Sequence, residues 1–189
     1  MKVEKTSLAC DNCIDAGKRE VKKLINLLKE DLGVRENEIK VYFSGNHGFH
    51  LHIYSAELES LGSPSRADIA DYVMGNRLIP DSFGIRKNTQ VAKDVISKFP
   101  STNDFGWRGR ISGKLMKDDK EKPRIVKRIM KNGYMQFKEE LNQIAREMGA
   151  HVDPKVTMDI HRVFRLQGTL NSKSGLAKAP CSDIDNFDP

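Results

Sequence analysis

The stretch that decides the fold reads Ile39-Lys40-Val41-Tyr42-Phe43-Ser44-Gly45-Asn46-His47-Gly48-Phe49-His50-Leu51-His52-Ile53. Apolar residues alternate at Ile39, Val41 and Phe43 and again at Phe49, Leu51 and Ile53, which predicts two strands joined by a glycine-bounded turn. In an extended chain His50 and His52 share one face and Phe49, Leu51 and Ile53 take the other, so both imidazoles leave the core together. Working outward, Val21, Leu24, Ile25 and Leu28 repeat at helical spacing within residues 14–32, ending at Gly33. Beyond the turn, Ser63-Pro64-Ser65 opens a helix over Arg66 to Met74, a loop carries Pro80 and Gly84, and a short helix is expected near Val91 to Phe99. Helical periodicity returns from Tyr134 to Met148, and a final β-like stretch is expected from Val156 to Leu166, with a turn at Gly168 and a second short strand. The order predicts an α+β fold, a mixed or antiparallel sheet flanked by helices with a helical insertion. Its expected divisions are 1–93, 94–150 and 151–189.

With 189 residues, 38% of them hydrophobic, the chain can bury a core without staples. No apolar run approaches the ~18 residues of a membrane span, and the first residues lack the apolar stretch of a signal peptide. A cytoplasmic protein with no membrane partner is the expectation. Three cysteines, Cys10 and Cys13 as a Cys-x-x-Cys pair and Cys181 alone, make no disulfide framework and point to reduced thiols or part of a metal site. The formal charge is +6, and it is concentrated: Trp107 to Lys131 carries ten basic side chains against three acidic ones. Such a strip, with Arg108, Arg110, Lys114, Lys127 and Arg128 as its candidate contacts, suits a nucleic-acid backbone. A solvated helical face is the alternative.

Two clusters can do chemistry. The turn Ser44-Gly45-Asn46-His47-Gly48 combines free backbone N–H groups with short polar side chains, a composition suited to holding phosphate oxygens. The same residues also fit a plain hairpin with satisfied histidines, or a His-x-His metal site without an evident third ligand. In the second cluster, Thr157 to Gly175, Asp159 could hold a divalent cation near phosphate oxygens while Arg162 or Arg165 neutralises the substrate. A structural Asp–Arg ion pair is the competing reading there.

Taken together, the two clusters resemble the catalytic small subunit of archaeal and eukaryotic DNA primase. The turn is similar to that family's Ser-Gly-x-x-Gly-x-His-x-His motif. Residues Thr157 to Gly175 are similar to its later motif, Asp-x-x-Arg followed by Arg-x-Pro-Gly-Ser-Leu-His-x-Lys-Thr-Gly. The likeness extends to Cys10-x-x-Cys13, Ala70-Asp71-Tyr72 and Gly106-Trp107-Arg108-Gly109-Arg110. It implies a primase-like core and template-directed synthesis of short RNA or DNA primers by two-metal phosphoryl transfer. Ser44 and His50 would contact the triphosphate, Arg165 would lie on the phosphates, and Gly45, Asn46, His47, Arg162, Asn171 and Lys173 would complete the nucleotide site. Asp159 would be one of three carboxylates on Mg2+ or Mn2+. The implied partners are the primase large subunit, a single-stranded DNA template and nucleoside triphosphates, within the nucleoid-associated replication machinery.

Departures bear on activity. His47 stands where archaeal relatives often carry Arg, Gln167 replaces the motif's Pro, and Asn171 replaces its His, removing a charge or a rigid turn. The family's Asp-x-Asp pair, expected upstream of the Cys-x-x-Cys region, has no counterpart before the first helix, and Asp183-Ile184-Asp185 lies out of order. Since two dications need several carboxylates, the chain reads as a partial primase subunit, inactive alone. Cys10 and Cys13 would be half of a structural Zn2+ site. The alternative is a non-catalytic module that binds nucleotides or single-stranded nucleic acid.

Overall fold

The computed structural model describes residues 11–88 and 91–188. Their elements run in the order α1 (Asp11–Leu32), β1 (Ile39–Phe43), β2 (Phe49–Ile53), α2 (Ala56–Glu59), α3 (Ser63–Val73), α4 (Ala92–Lys98), α5 (Gly106–Leu115), α6 (Lys122–Asn132), α7 (Tyr134–Met148), α8 (Pro154–Met158) and β3 (Ala179–Cys181). Short 3-10 turns lie at Glu36–Glu38, Pro80–Phe83 and Asp119–Glu121. The fold is α+β with an antiparallel sheet. It divides into two compact units, one made of the described residues through Ala70 with those from Ala150 onward, the other of Asp71–Gly149.

In the first unit β1 is the central strand of the order β2-β1-β3. The β1–β2 register pairs Ile39 with Ile53, Val41 with Leu51 and Phe43 with Phe49, so the period-two pattern lies in phase across the hairpin. α1 packs on β2 through its buried stripe of Ile14, Val21, Leu27 and Leu28. The contact is close: a Cβ on Gly17 would lie 3.0 Å from the Phe49 ring. Phe43, Phe49 and Phe187 close this face as a ring cluster with centroids 5.5–5.9 Å apart. Lys40, Tyr42, His50 and His52 occupy the opposite face, where the site is built.

The second unit has a core of its own. Phe83, Phe99 and Phe137 stack edge to face or tilted, with Ile111, Val126 and Leu141 all essentially inaccessible. The Trp107 indole N–H donates to the Tyr72 carbonyl at 2.7 Å. Gly109 has no room for a side chain, since a Cβ would meet the Asp104 carbonyl oxygen at 1.8 Å.

The strand expected over Val156 to Leu166 does not form. Residues Pro154–Met158 are helical instead, because Asp153 caps the turn by accepting from the Lys155 N–H at 3.0 Å and Pro154 presets the first helical position. Asp159 then turns the chain by accepting from the His161 N–H at 3.0 Å. The strand beyond Gly168 lies later, at β3, preceded by a single Leu170–Ala177 bridge. Local side-chain bonds here outcompete an alternation that was already imperfect.

Candidate nucleotide site

The Ser44–Gly48 turn is closed from within. Its ends pair through Ser44 N–H to Gly48 O at 2.8 Å, and the Ser44 Oγ accepts from the Asn46 and Gly48 N–H groups, each at 3.3 Å. Gly45 sits at φ +77° and is buried, with no space for a Cβ, which would lie 2.6 Å from the Leu176 carbonyl oxygen. That close approach joins the turn to residues 165–178. The Arg165 guanidinium donates to the Ser44 carbonyl at 3.0 Å, and the Ser174 hydroxyl donates to the Gly45 carbonyl.

Asn171 organises this second segment. Buried to 8% exposure, its Oδ1 accepts from the Lys173 N–H at 2.9 Å and the Ser174 N–H at 3.4 Å, while its backbone pairs with Leu176 and Gly175. Its side chain is spent on the loop, and the Lys173 side chain is exposed. The chain then crosses back at Lys178, whose N–H donates to the Thr169 carbonyl at 3.0 Å, and enters β3.

Lys178 is 2% exposed. Its Nζ donates to the Arg165 carbonyl at 2.8 Å, lies 3.0 Å from His52 Nε2, and sits 4.8 Å above the Tyr42 ring centroid and 5.5 Å from that of Phe164. His52 also stacks edge-on to Phe164 at 5.0 Å. Burial, then the nearby ammonium, hold His52 below the ordinary imidazole range; His50 is lowered by burial and by Lys178, His52 and Arg165. Burial and Arg165 likewise push the Lys178 ammonium down. Among the described residues no carboxylate pairs with either cation.

The arrangement brings together Ser44, Gly45, His50 and Arg165, and adds His52, Tyr42, Phe164 and Lys178. His52 was visible in the sequence through its shared face with His50. Lys178 carried no signal, since nothing in its neighbours shows that a lysine there folds under the sheet. Asn46 and His47 are in the turn, half-buried and exposed respectively. Asp159 and Arg162 are exposed, and the Asp159 carboxylate is bonded to the His161 N–H. No group of three His, Cys, Asp or Glu that could hold a metal ion occurs among the described residues. Cys13 is exposed on α1, and Cys10 lies outside the described residues. Asp183 and Asp185 serve the fold: Asp183 accepts from Asn186 Nδ2 at 2.7 Å, and Asp185 pairs with Lys22 of α1.

In the second unit the basic residues divide. Arg108 is bonded to Asp104 at 3.3 Å, Lys114 to Glu147 at 2.5 Å and Arg128 to Glu140 at 2.9 Å. Arg110 is half-buried, and Lys127 is exposed on α6. Among the described residues no helix is long and apolar enough to cross a membrane.

A glycine turn closed from within by Ser44, with Arg165 bonded to it and the buried Lys178 bonded to the Arg165 carbonyl, on a small antiparallel sheet defines an α+β protein with a candidate anion site. The sequence pattern of the DNA primase small subunit matches residues 3–183, and the chain belongs to that family. It is 44% identical over 187 residues to the DNA primase small subunit of Nitrosopumilus maritimus, covering 99% of this chain and 49% of that protein. The corresponding protein of Cenarchaeum symbiosum is 42% identical over 98% of this chain and 49% of its own length. That of Methanococcoides burtonii is 32% identical over 93% and 56%. The chain thus spans about half the length of the curated relatives it matches, which are archaeal.

Proposed function

We propose that this chain supplies the nucleotide-holding part of a primase active site, the turn and the 165–178 segment taking up the triphosphate of a nucleoside triphosphate. The observation that carries this is the Arg165 guanidinium bonded to the turn at the Ser44 carbonyl, with the Lys178 ammonium behind it on the Arg165 carbonyl and His52, and no carboxylate partner for either among the described residues. Like charges close together, one of them the buried Lys178, are costly, and an anion at the half-exposed Arg165 offsets part of the cost. Arg165 orients the turn through the Ser44 carbonyl, and Ser44 fixes its backbone N–H groups. His50, half-buried on the same face, reaches the phosphates as a neutral hydrogen-bonding group.

The family activity proposed for the whole polypeptide is template-directed primer synthesis, a nucleotidyl transfer, with a large subunit and single-stranded DNA as partners. When bound, Mg2+ or Mn2+ would supply charge neutralisation at the phosphates. The described residues do not fit a two-metal centre. Asp159 belongs to no group of three His, Cys, Asp or Glu that could hold a metal ion among the described residues, and two dications need several carboxylates. Asp159 is therefore proposed as one ligand of a metal held jointly with groups outside this set, and Cys10 and Cys13 as half of a structural zinc site. That lack of a three-ligand group among the described residues favours binding without polymerisation for the chain by itself.

The test is calorimetric titration of the 189-residue chain with ATP, alongside a primer-synthesis assay on single-stranded DNA with Mg2+ or Mn2+. Binding lost in Arg165→Met, with no primer made, is the expected result. Primer synthesis that Asp159→Asn abolishes would overturn the binding-only reading.

A further inference from the structure

The face of the sheet opposite α1 holds a group that no known motif of the site accounts for. Lys178 is buried as completely as the core residues around it, yet it is a lysine. Its contacts favour the charged form, against the burial and the Arg165 charge that push the ammonium down. One proton goes to the Arg165 carbonyl at 2.8 Å, which can only accept, and the rings of Tyr42 and Phe164 present their faces at 4.8 and 5.5 Å. Both kinds of contact favour an ammonium over a neutral amine. An ammonium has no lone pair, so the 3.0 Å contact to His52 Nε2 requires that nitrogen to accept. His52 is then neutral with its proton on Nδ1. With no lone pair, and buried, the ammonium also has no role as a nucleophile.

We infer that Lys178 is a positioning residue of the nucleotide site, its ammonium locking His52 as the Nδ1–H tautomer and pinning the Arg165 backbone so that the guanidinium stays on the Ser44 turn. The inference rests on the nucleotide reading proposed above. Arg165 is anchored at both ends, by its own carbonyl to Lys178 and by its guanidinium to Ser44 O at 3.0 Å. Phe164, next in the chain, packs edge-on against His52 at 5.0 Å and helps hold the same strap. The charged and titratable groups facing the two imidazoles are Lys178 and Arg165 from the 165–178 segment, Tyr42 from β1, Tyr54 just past β2, and Lys40, which is the register partner of His52. None is a carboxylate. The positive charge of the site therefore comes from Lys178 and Arg165, with both histidines acting as neutral donors and acceptors.

Long-range nitrogen–proton NMR on the imidazoles of the full chain reads the tautomer directly. In the wild-type chain at neutral pH, His52 is expected as neutral Nδ1–H. A neutral Nε2–H form or an imidazolium would overturn the inference without any variant. In Lys178→Met, the fixed tautomer should be lost, His52 should titrate at higher pH than in the wild type, and magnesium-free ATP should bind roughly tenfold or more weakly. An unchanged His52 spectrum with unchanged ATP affinity in Lys178→Met would sink the proposal. Wild-type protein that shows the Nδ1–H tautomer but takes up no ATP would instead defeat the nucleotide reading and leave the Lys178–His52 pairing standing as a structural contact.

Discussion

Gly45 and Gly48 bound one turn but meet different surroundings. At Gly45 a side chain would be strained at φ +77° and would press on the Leu176 carbonyl, whereas nothing lies within 4 Å of a Cβ at Gly48. Gly45→Ala should destabilise the chain by on the order of 2 kcal/mol or more, and Gly48→Ala should stay within about 0.5 kcal/mol of the wild type. Urea midpoints at constant m separate the two. Acid sensitivity is also set by single residues. His50 and His52 are depressed below the ordinary value of 6.5, chiefly by burial. The unfolded chain therefore binds protons that the folded chain resists. Their contribution is fully present above pH 6.5 and is lost as pH falls through the lower folded values. Stability should decrease between pH 7 and 5.5, and His50→Gln with His52→Gln should flatten that slope in urea titrations.

Helix α6 shows how far periodicity reaches. Ile125, Val126 and Ile129 are buried, while Arg124, Lys127, Arg128 and Lys131 follow the i, i+3, i+4, i+7 spacing of one exposed face. The sequence placed the positive charge, and Arg124 pairs locally with Glu121, but Glu140, the partner of Arg128, was not legible because it arrives from α7. Lys127 and Lys131 should dominate any contact with single-stranded DNA. Replacing both with Ala is expected to flatten the log K against log salt slope by about 1.4, as two lost phosphate contacts require. The Lys114→Ala change should alter that slope less. A fluorescence-anisotropy salt series measures both.

Each of the two units carries its own apolar centre, which is why a helical segment can interrupt a sheet domain. Residues 71–149 enclose Phe83, Phe99, Trp107, Phe137 and Leu141 with their own hydrogen bonds. A polypeptide of residues 71–149 should fold as a helical unit and unfold cooperatively in urea, monitored by circular dichroism. A gradual, non-cooperative loss of helicity would show that this core is insufficient alone.

By itself the amino-acid sequence determined the elements whose pattern is strong and local. These are the α1 stripe, the in-phase β1–β2 hairpin with both histidines on one face, the Ser44–Gly48 turn, the basic α6 segment, and the family likeness that the comparisons establish. Only the tertiary structure decided that Val156 to Leu166 is not a strand, that Asn171 builds a loop, and that Arg165 reaches the turn while Lys178 reaches His52. The reason is physical. Periodicity reports which side of an element faces apolar surroundings, but hydrogen bonds between residues 121 and 126 positions apart, as in Arg165–Ser44 and Lys178–His52, depend on how the chain returns across the sheet.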